Sequence, residues 1–163
     1  MLCVKSHTAK VDESQPKESI MSRTEHANMR VILEIFGAIE RRDQQRLAEL
    51  CHTDVEFQWP PVLPYGGISR GLKAEPPSWG HTWIPLQPTD AERTMDPRIV
   101  AASGDEVVVL WRQRGSSPGG DRLDSPVLAL YEIRDGKLSR AQMFYFDLTA
   151  VVDFLATARS RAA

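Results

Sequence analysis

Apolar residues recur three and four positions apart between residues 24 and 42: Met29, Ile32, Leu33, Phe36 and Ile39, with Val31 and Ile35 widening the stripe. That spacing predicts an amphipathic helix burying one face. Asp43 stands where a second, shorter helix needs its N-cap, and Leu47, Leu50 and Cys51 supply that helix's apolar side. From residue 54 the period changes to two. Val55, Phe57 and Trp59 alternate with Glu56 and Gln58, which predicts a strand over 54–59. Strands are expected again over 98–102, 106–114, 127–134 and 138–146. They are punctuated by Ser103-Gly104-Asp105, a Gly/Ser/Pro-rich loop over 115–120 and an Asp135-Gly136 hairpin turn. Asp147 then caps a last helix built on Leu148, Val151, Val152 and Leu155. Helices followed by an antiparallel meander predict an α+β domain, a curved antiparallel sheet wrapped by N-terminal helices into a cone with one open mouth.

Two stretches break this rhythm. Residues 60–90 are rich in proline and hold Trp79, His81 and Trp83. Pro76 and Pro77 disfavour a long helix there, so an ordered loop with one short helix is expected, of the kind that serves as a lid. Residues 1–22 are polar and charged and are expected to form a disordered extension ahead of a domain over 23–160.

Composition narrows the possible roles. The 163 residues are 42% hydrophobic, enough for a substantial core. Twenty basic and 22 acidic residues nearly cancel, without a Lys/Arg run, which argues against nucleic acid as a partner. No apolar window reaches the roughly 18 residues of a membrane helix. The N-terminus lacks an apolar signal region, so a cytoplasmic location is expected. Cys3 and Cys51 lack the spacing of a zinc site or a disulfide framework, and neither a metal nor a cofactor is implied.

The closing segment GKLSRAQMFYFDLTAVVDFLATA, with the AELCHTDVEF, PYG, ASGDEVVV and RDGKL pieces upstream, resembles the SnoaL-like proteins of the nuclear-transport-factor-2-like superfamily, relatives of ketosteroid isomerases and limonene-epoxide hydrolases. The resemblance runs roughly over 27–156. It implies a cystatin-like α+β barrel around a small-molecule cavity, and pairing of two copies through the outer sheet face. It also excludes one reaction. In the epoxide-hydrolase branch a Tyr and an Asn on the first strand hold the attacking water, beside an Asp–Arg–Asp set. The matching positions here are Phe57, Trp59, Arg112, Arg114 and Phe144, so the water-activating set is missing.

Strand parity gives a lining. With Phe57 and Trp59 inward, the expected wall continues through Val108, Leu110, Arg112 and Arg114, then Val127, Ala129 and Tyr131, then Gln142, Phe144 and Phe146. Trp79 and Trp83 are expected at the mouth. No carboxylate falls on that face, so His81 becomes the candidate base, ahead of Glu75, with Tyr131 and Arg112 as donors to an oxyanion. The bland readings are a hydrogen-bonded loop histidine, packing tryptophans, and arginines held by Asp121 or Asp124. Opposite parity puts Val107, Val109, Trp111, Met143 and Tyr145 outside, as a homodimer surface. The expected function is a cofactor-independent isomerase, cyclase or dehydratase for a hydrophobic carbonyl compound. The alternatives are a non-catalytic binder of an aromatic or anionic small ligand and a dimeric interaction module.

Overall fold

A computed structural model describes residues 21–72 and 86–160. Helix α1 spans Arg23–Arg41, and its N-terminus is closed by a capping box. The Ser22 hydroxyl accepts from the Glu25 amide while the Glu25 carboxylate accepts from the Ser22 amide. Arg42 adopts a left-handed conformation that ends the helix, and Asp43 then caps α2 (Gln44–Leu50) by accepting from Arg46 N at 2.9 Å. Strand β1 (Cys51–Trp59) follows without a linker. The short β2 is Gly67–Arg70 and the one-turn α3 is Asp90–Arg93. The long strands are β3 (Arg98–Ser103), β4 (Glu106–Ser116), β5 (Arg122–Arg134) and β6 (Lys137–Tyr145), and α4 (Leu148–Ser160) closes the described chain. Asp147 caps α4 as its position suggests, accepting from Ala150 N at 3.0 Å.

The six strands form one mixed sheet in the order β2-β1-β6-β5-β4-β3. The α+β architecture with a C-terminal helix is the one expected, with two differences: β2 lies within the stretch expected to be loop, and β1 runs parallel to β6, every other strand pairing being antiparallel. One face of the sheet lies under α1. Ile32, Ile35 and Phe36 bury against Val107, Val109 and Trp111 of β4, Val127, Ala129 and Tyr131 of β5, and Ala141 and Met143 of β6. A second cluster gathers Val151, Phe154 and Leu155 of α4 with Leu63, Leu86 and Leu123. Tyr145 borders both clusters.

Register overturns the expected lining. The Asp135-Gly136 turn pairs Arg134 with Lys137 and Ile133 with Leu138, but Glu132 then pairs with Arg140. Ser139 is the extra residue of a β-bulge, and its hydroxyl donates to Glu132 O at 2.9 Å. One inserted residue reverses the facing of every side chain beyond it. Val127, Ala129 and Tyr131 are therefore opposite Tyr145, Met143 and Ala141, not Phe144, Gln142 and Arg140. The same offset holds across the β4–β5 loop, where Val107 faces Tyr131 and Trp111 faces Val127. Val107, Val109, Trp111, Met143 and Tyr145, expected outside, are inside.

Candidate functional site

Phe57, Trp59, Ala129 and Tyr131 stay on the inner face as expected. Leu110, Arg112, Arg114, Gln142 and Phe144 lie on the opposite face, because their directly paired neighbours Leu128, Pro126, Asp124 and Leu130 alternate with the buried positions of β5. Phe146 lies beyond the end of β6 and is 87% exposed. His81, Trp79, Trp83 and Glu75 lie outside the described residues.

The two arginines form a saline cluster instead of an anion pocket. Arg112 Nε sits 2.7 Å from Asp124 Oδ1, and its Nη2 donates to Asp124 O at 3.1 Å. Arg114 bridges Asp96 at 2.6 Å and Asp124 at 3.4 Å. Hydrogen bonding and charge from Arg112 hold the Asp124 carboxyl below its ordinary range. Both guanidinium groups are thus paired with carboxylates on the outer face.

The inner face carries different chemistry. Phe36 meets Trp111 and Tyr131 edge-on, each at a ring-centre distance of 6.0 Å. Trp59 meets Tyr65 edge-on at 5.4 Å. Such pairs contribute roughly 0.5–1.5 kcal/mol each beyond the area they bury. Tyr65 is delivered by the PPVLPYGG segment, which folds back on itself through Leu63 N to Pro60 O at 3.1 Å and Gly66 N to Leu63 O at 2.8 Å. Gly66 is required in that turn, since a Cβ there would run into the carbonyl groups of Pro60 and Pro61. The result is that the Tyr65 hydroxyl meets the Tyr145 hydroxyl at 3.3 Å. Burial pushes the Tyr65 phenol up to about 12, and burial with its tyrosine neighbours pushes Tyr145 well above the ordinary value. Tyr131 moves in the same direction through burial alone. All three remain neutral hydroxyls at physiological pH.

Between the aromatic groups runs a short polar row. Gln113 lies one inward step from Trp111, under Phe36, and one from Gly115, under Phe154. Ser125 is directly opposite it on β5. Gln113 is fully buried and Ser125 is 5% exposed. Gln113 Oε1, Ser125 Oγ and Trp111 Nε1 have no hydrogen-bond partner among the described residues. The expected strand parity puts Trp111 on the outer face and does not single out Gln113, so this row is not anticipated by it. The signal available was Gln113 itself, an amide at the centre of a strand whose neighbours are apolar or paired.

Among the described residues no group of His, Cys, Asp or Glu could hold a metal ion. The Cys51 thiol is pushed up to about 12 by burial, which makes it a packing residue. No described helix is long and apolar enough to cross a membrane.

Solved structures share this arrangement. A protein of unknown function with a cystatin-like fold from Xanthomonas campestris superposes with a TM-score of 0.64 at 23% identity, covering 78% of this chain and 97% of its own. TerC, co-crystallised with polyporic acid, gives 0.63 at 21% identity over 80% and 98%. The epoxide hydrolase/cyclase-like enzyme SalBIII, of pyran ring formation in polyether salinomycin, gives 0.57 at 14% identity over 74% and 92%. None of the curated proteins compared with the chain matches it. The SnoaL-like domain family matches residues 32–141, two thirds of the sequence and all of the sheet but the last four residues of β6, and the chain belongs to that family.

Proposed function

We propose that the inner face of the sheet binds a small hydrophobic carbonyl compound and promotes its enolisation, as a cofactor-independent isomerase, cyclase or dehydratase. The observation that carries this reading is a buried face of aromatic rings whose polar groups are neutral donors and acceptors, with no carboxylate among its described residues. Removal of a proton beside a carbonyl places negative charge on the carbonyl oxygen. Neutral hydroxyl donors in an apolar enclosure stabilise that charge more strongly than water does. Tyr131 and the Tyr65–Tyr145 pair fill that role, and Arg112, turned away and held by Asp124, leaves it. The base is assigned to His81 on its residue type, imidazole being the side chain that ordinarily changes charge near neutral pH. TerC's polyporic acid and SalBIII's ring formation are in keeping with an apolar, oxygen-bearing substrate.

Incubation with 2-tetralone in deuterated buffer tests this. The protein should accelerate deuterium incorporation beside the carbonyl, more slowly as Tyr145→Phe and not at all as His81→Gln. Binding of 2-tetralone without acceleration supports the second reading, a non-catalytic binder, which the missing carboxylate favours. We also propose a homodimer through the outer sheet face. There Leu128 pairs directly with Leu110 and Phe144, and Leu128 and Phe144 are 40% and 48% exposed. Sedimentation showing a monomer at micromolar concentration, unchanged by Leu128→Glu, contradicts it.

A further inference from the structure

Three groups in adjacent register positions of the inner face are buried without hydrogen-bond partners among the described residues: Trp111 Nε1, Gln113 Oε1 and Ser125 Oγ. Gln87 Nε2, outside the strands, is a fourth such atom. Native interiors leave few such atoms, because a buried, unsatisfied donor or acceptor costs about 1–3 kcal/mol. Gln113 and Ser125 are directly opposed and yet neither bonds the other. Gln113 Nε2 makes a long contact of 3.4 Å with Arg114 O, and the amide oxygen is the end left unpaired. The cluster sits at the seam between the two apolar groups, with Phe36 of α1 over one side and Phe154 of α4 over the other.

We infer that this seam is a hydroxyl-recognising subsite: an alcohol, phenol or enol oxygen of the bound molecule donates to Gln113 Oε1 and accepts from Trp111 Nε1 or Ser125 Oγ. The chemistry selects the group. A carboxylate or phenolate would face the amide oxygen as one acceptor against another. An ammonium would find no counter-charge on this face. An ether or a ketone could accept from Trp111 but would leave Gln113 Oε1 as bare as before. Of these groups, the neutral hydroxyl is the one that satisfies a donor and an acceptor together. The inference rests on the proposed binding of a hydrophobic molecule at the inner face, and it adds which oxygen function that molecule carries and where.

The test uses the full chain, isothermal titration calorimetry, and two probes of nearly equal apolar area, 2-naphthol and 2-methoxynaphthalene. 2-Naphthol should bind about tenfold more tightly, the scale set by pairing a buried acceptor that the ether leaves unpaired. In Gln113→Met the two probes should bind within about twofold of each other, and Ser125→Ala should narrow the gap in part. Equal binding of the two probes to the unaltered protein overturns the subsite and leaves the hydrophobic-site reading standing. A tenfold preference that survives Gln113→Met also overturns it. Failure of both probes to bind overturns the subsite and the underlying reading together. The comparison on the unaltered protein decides the matter even if a variant does not fold.

Discussion

Replacing Gln113 by methionine should make the protein more stable, against the usual expectation for a fully buried core position. The side chain makes one hydrogen bond, Nε2 to Arg114 O at 3.4 Å, at the long edge of the range. A bond of that quality contributes at most about 0.5–1 kcal/mol. Its Oε1 is buried and unpartnered among the described residues, which costs about 1–3 kcal/mol. Methionine is unbranched like glutamine and of similar length, so it leaves no cavity and adapts to the packing between Trp111 and Gly115. The net expectation is a gain of about 1 kcal/mol. For a chain of this size that corresponds to roughly 2–4 °C in Tm. Equilibrium urea unfolding followed by tryptophan fluorescence measures it, with an unchanged m-value as the control for two-state behaviour. A loss of more than about 1 kcal/mol would show that Oε1 has a partner, and the argument from unsatisfied groups would fall.

Three further outcomes follow from the same geometry. Gly115→Ala places a Cβ 2.7 Å from Phe154 Cε1 and 3.2 Å from Leu86 Cδ2, and should cost about 1–3 kcal/mol in urea unfolding as α4 is pushed off β4. Arg112→Ala should change stability by no more than about 1 kcal/mol and leave 2-naphthol affinity unchanged by calorimetry, since the pair with Asp124 is half exposed on the outer face. On the alkaline side, burial raises the Tyr65 phenol from 10.0 to about 12. Its contribution is present below pH 10 and lost as the pH rises toward 12, because the unfolded chain ionises first. Urea midpoints measured from pH 8 to 11.5 should fall above pH 10, and less so in Tyr65→Phe.

Periodicity made the helices and the strand positions legible. Asp43 and Asp147 announced their caps, and the alternation through β1 and β4 announced strands; the Ser22–Glu25 capping box of α1 was not singled out. Facing was harder to read. A two-residue turn at Asp135-Gly136 suggests a regular hairpin, and only the buried Ser139, inserted opposite Glu132, reverses it. Nothing in the local pattern of β6 marks that bulge, because Leu138, Ala141 and Met143 and the alternative Gln142 and Phe144 both read as half-apolar faces. The β4–β5 loop carries no parity of its own, so its offset was invisible as well. The start of β5 was also missed: Arg122 to Pro126 looks like loop, yet it pairs with Ser116 to Arg112. Pro126 and Asp124 face outward there, where an edge of charge and ring is tolerated. Trp59, Ala129 and Tyr131 kept their expected facing because no insertion separates them from the strand centres that defined it.

The most direct measurement is a proton–nitrogen correlation spectrum of the full chain titrated with 2-naphthol, with the four indole resonances assigned by single Trp→Phe substitutions. The Trp111 indole Nε1–H resonance should shift and saturate with the affinity that calorimetry gives. A Trp111 resonance that stays still while amides of Leu110, Leu128 and Phe144 move would place the ligand on the outer face and contradict it.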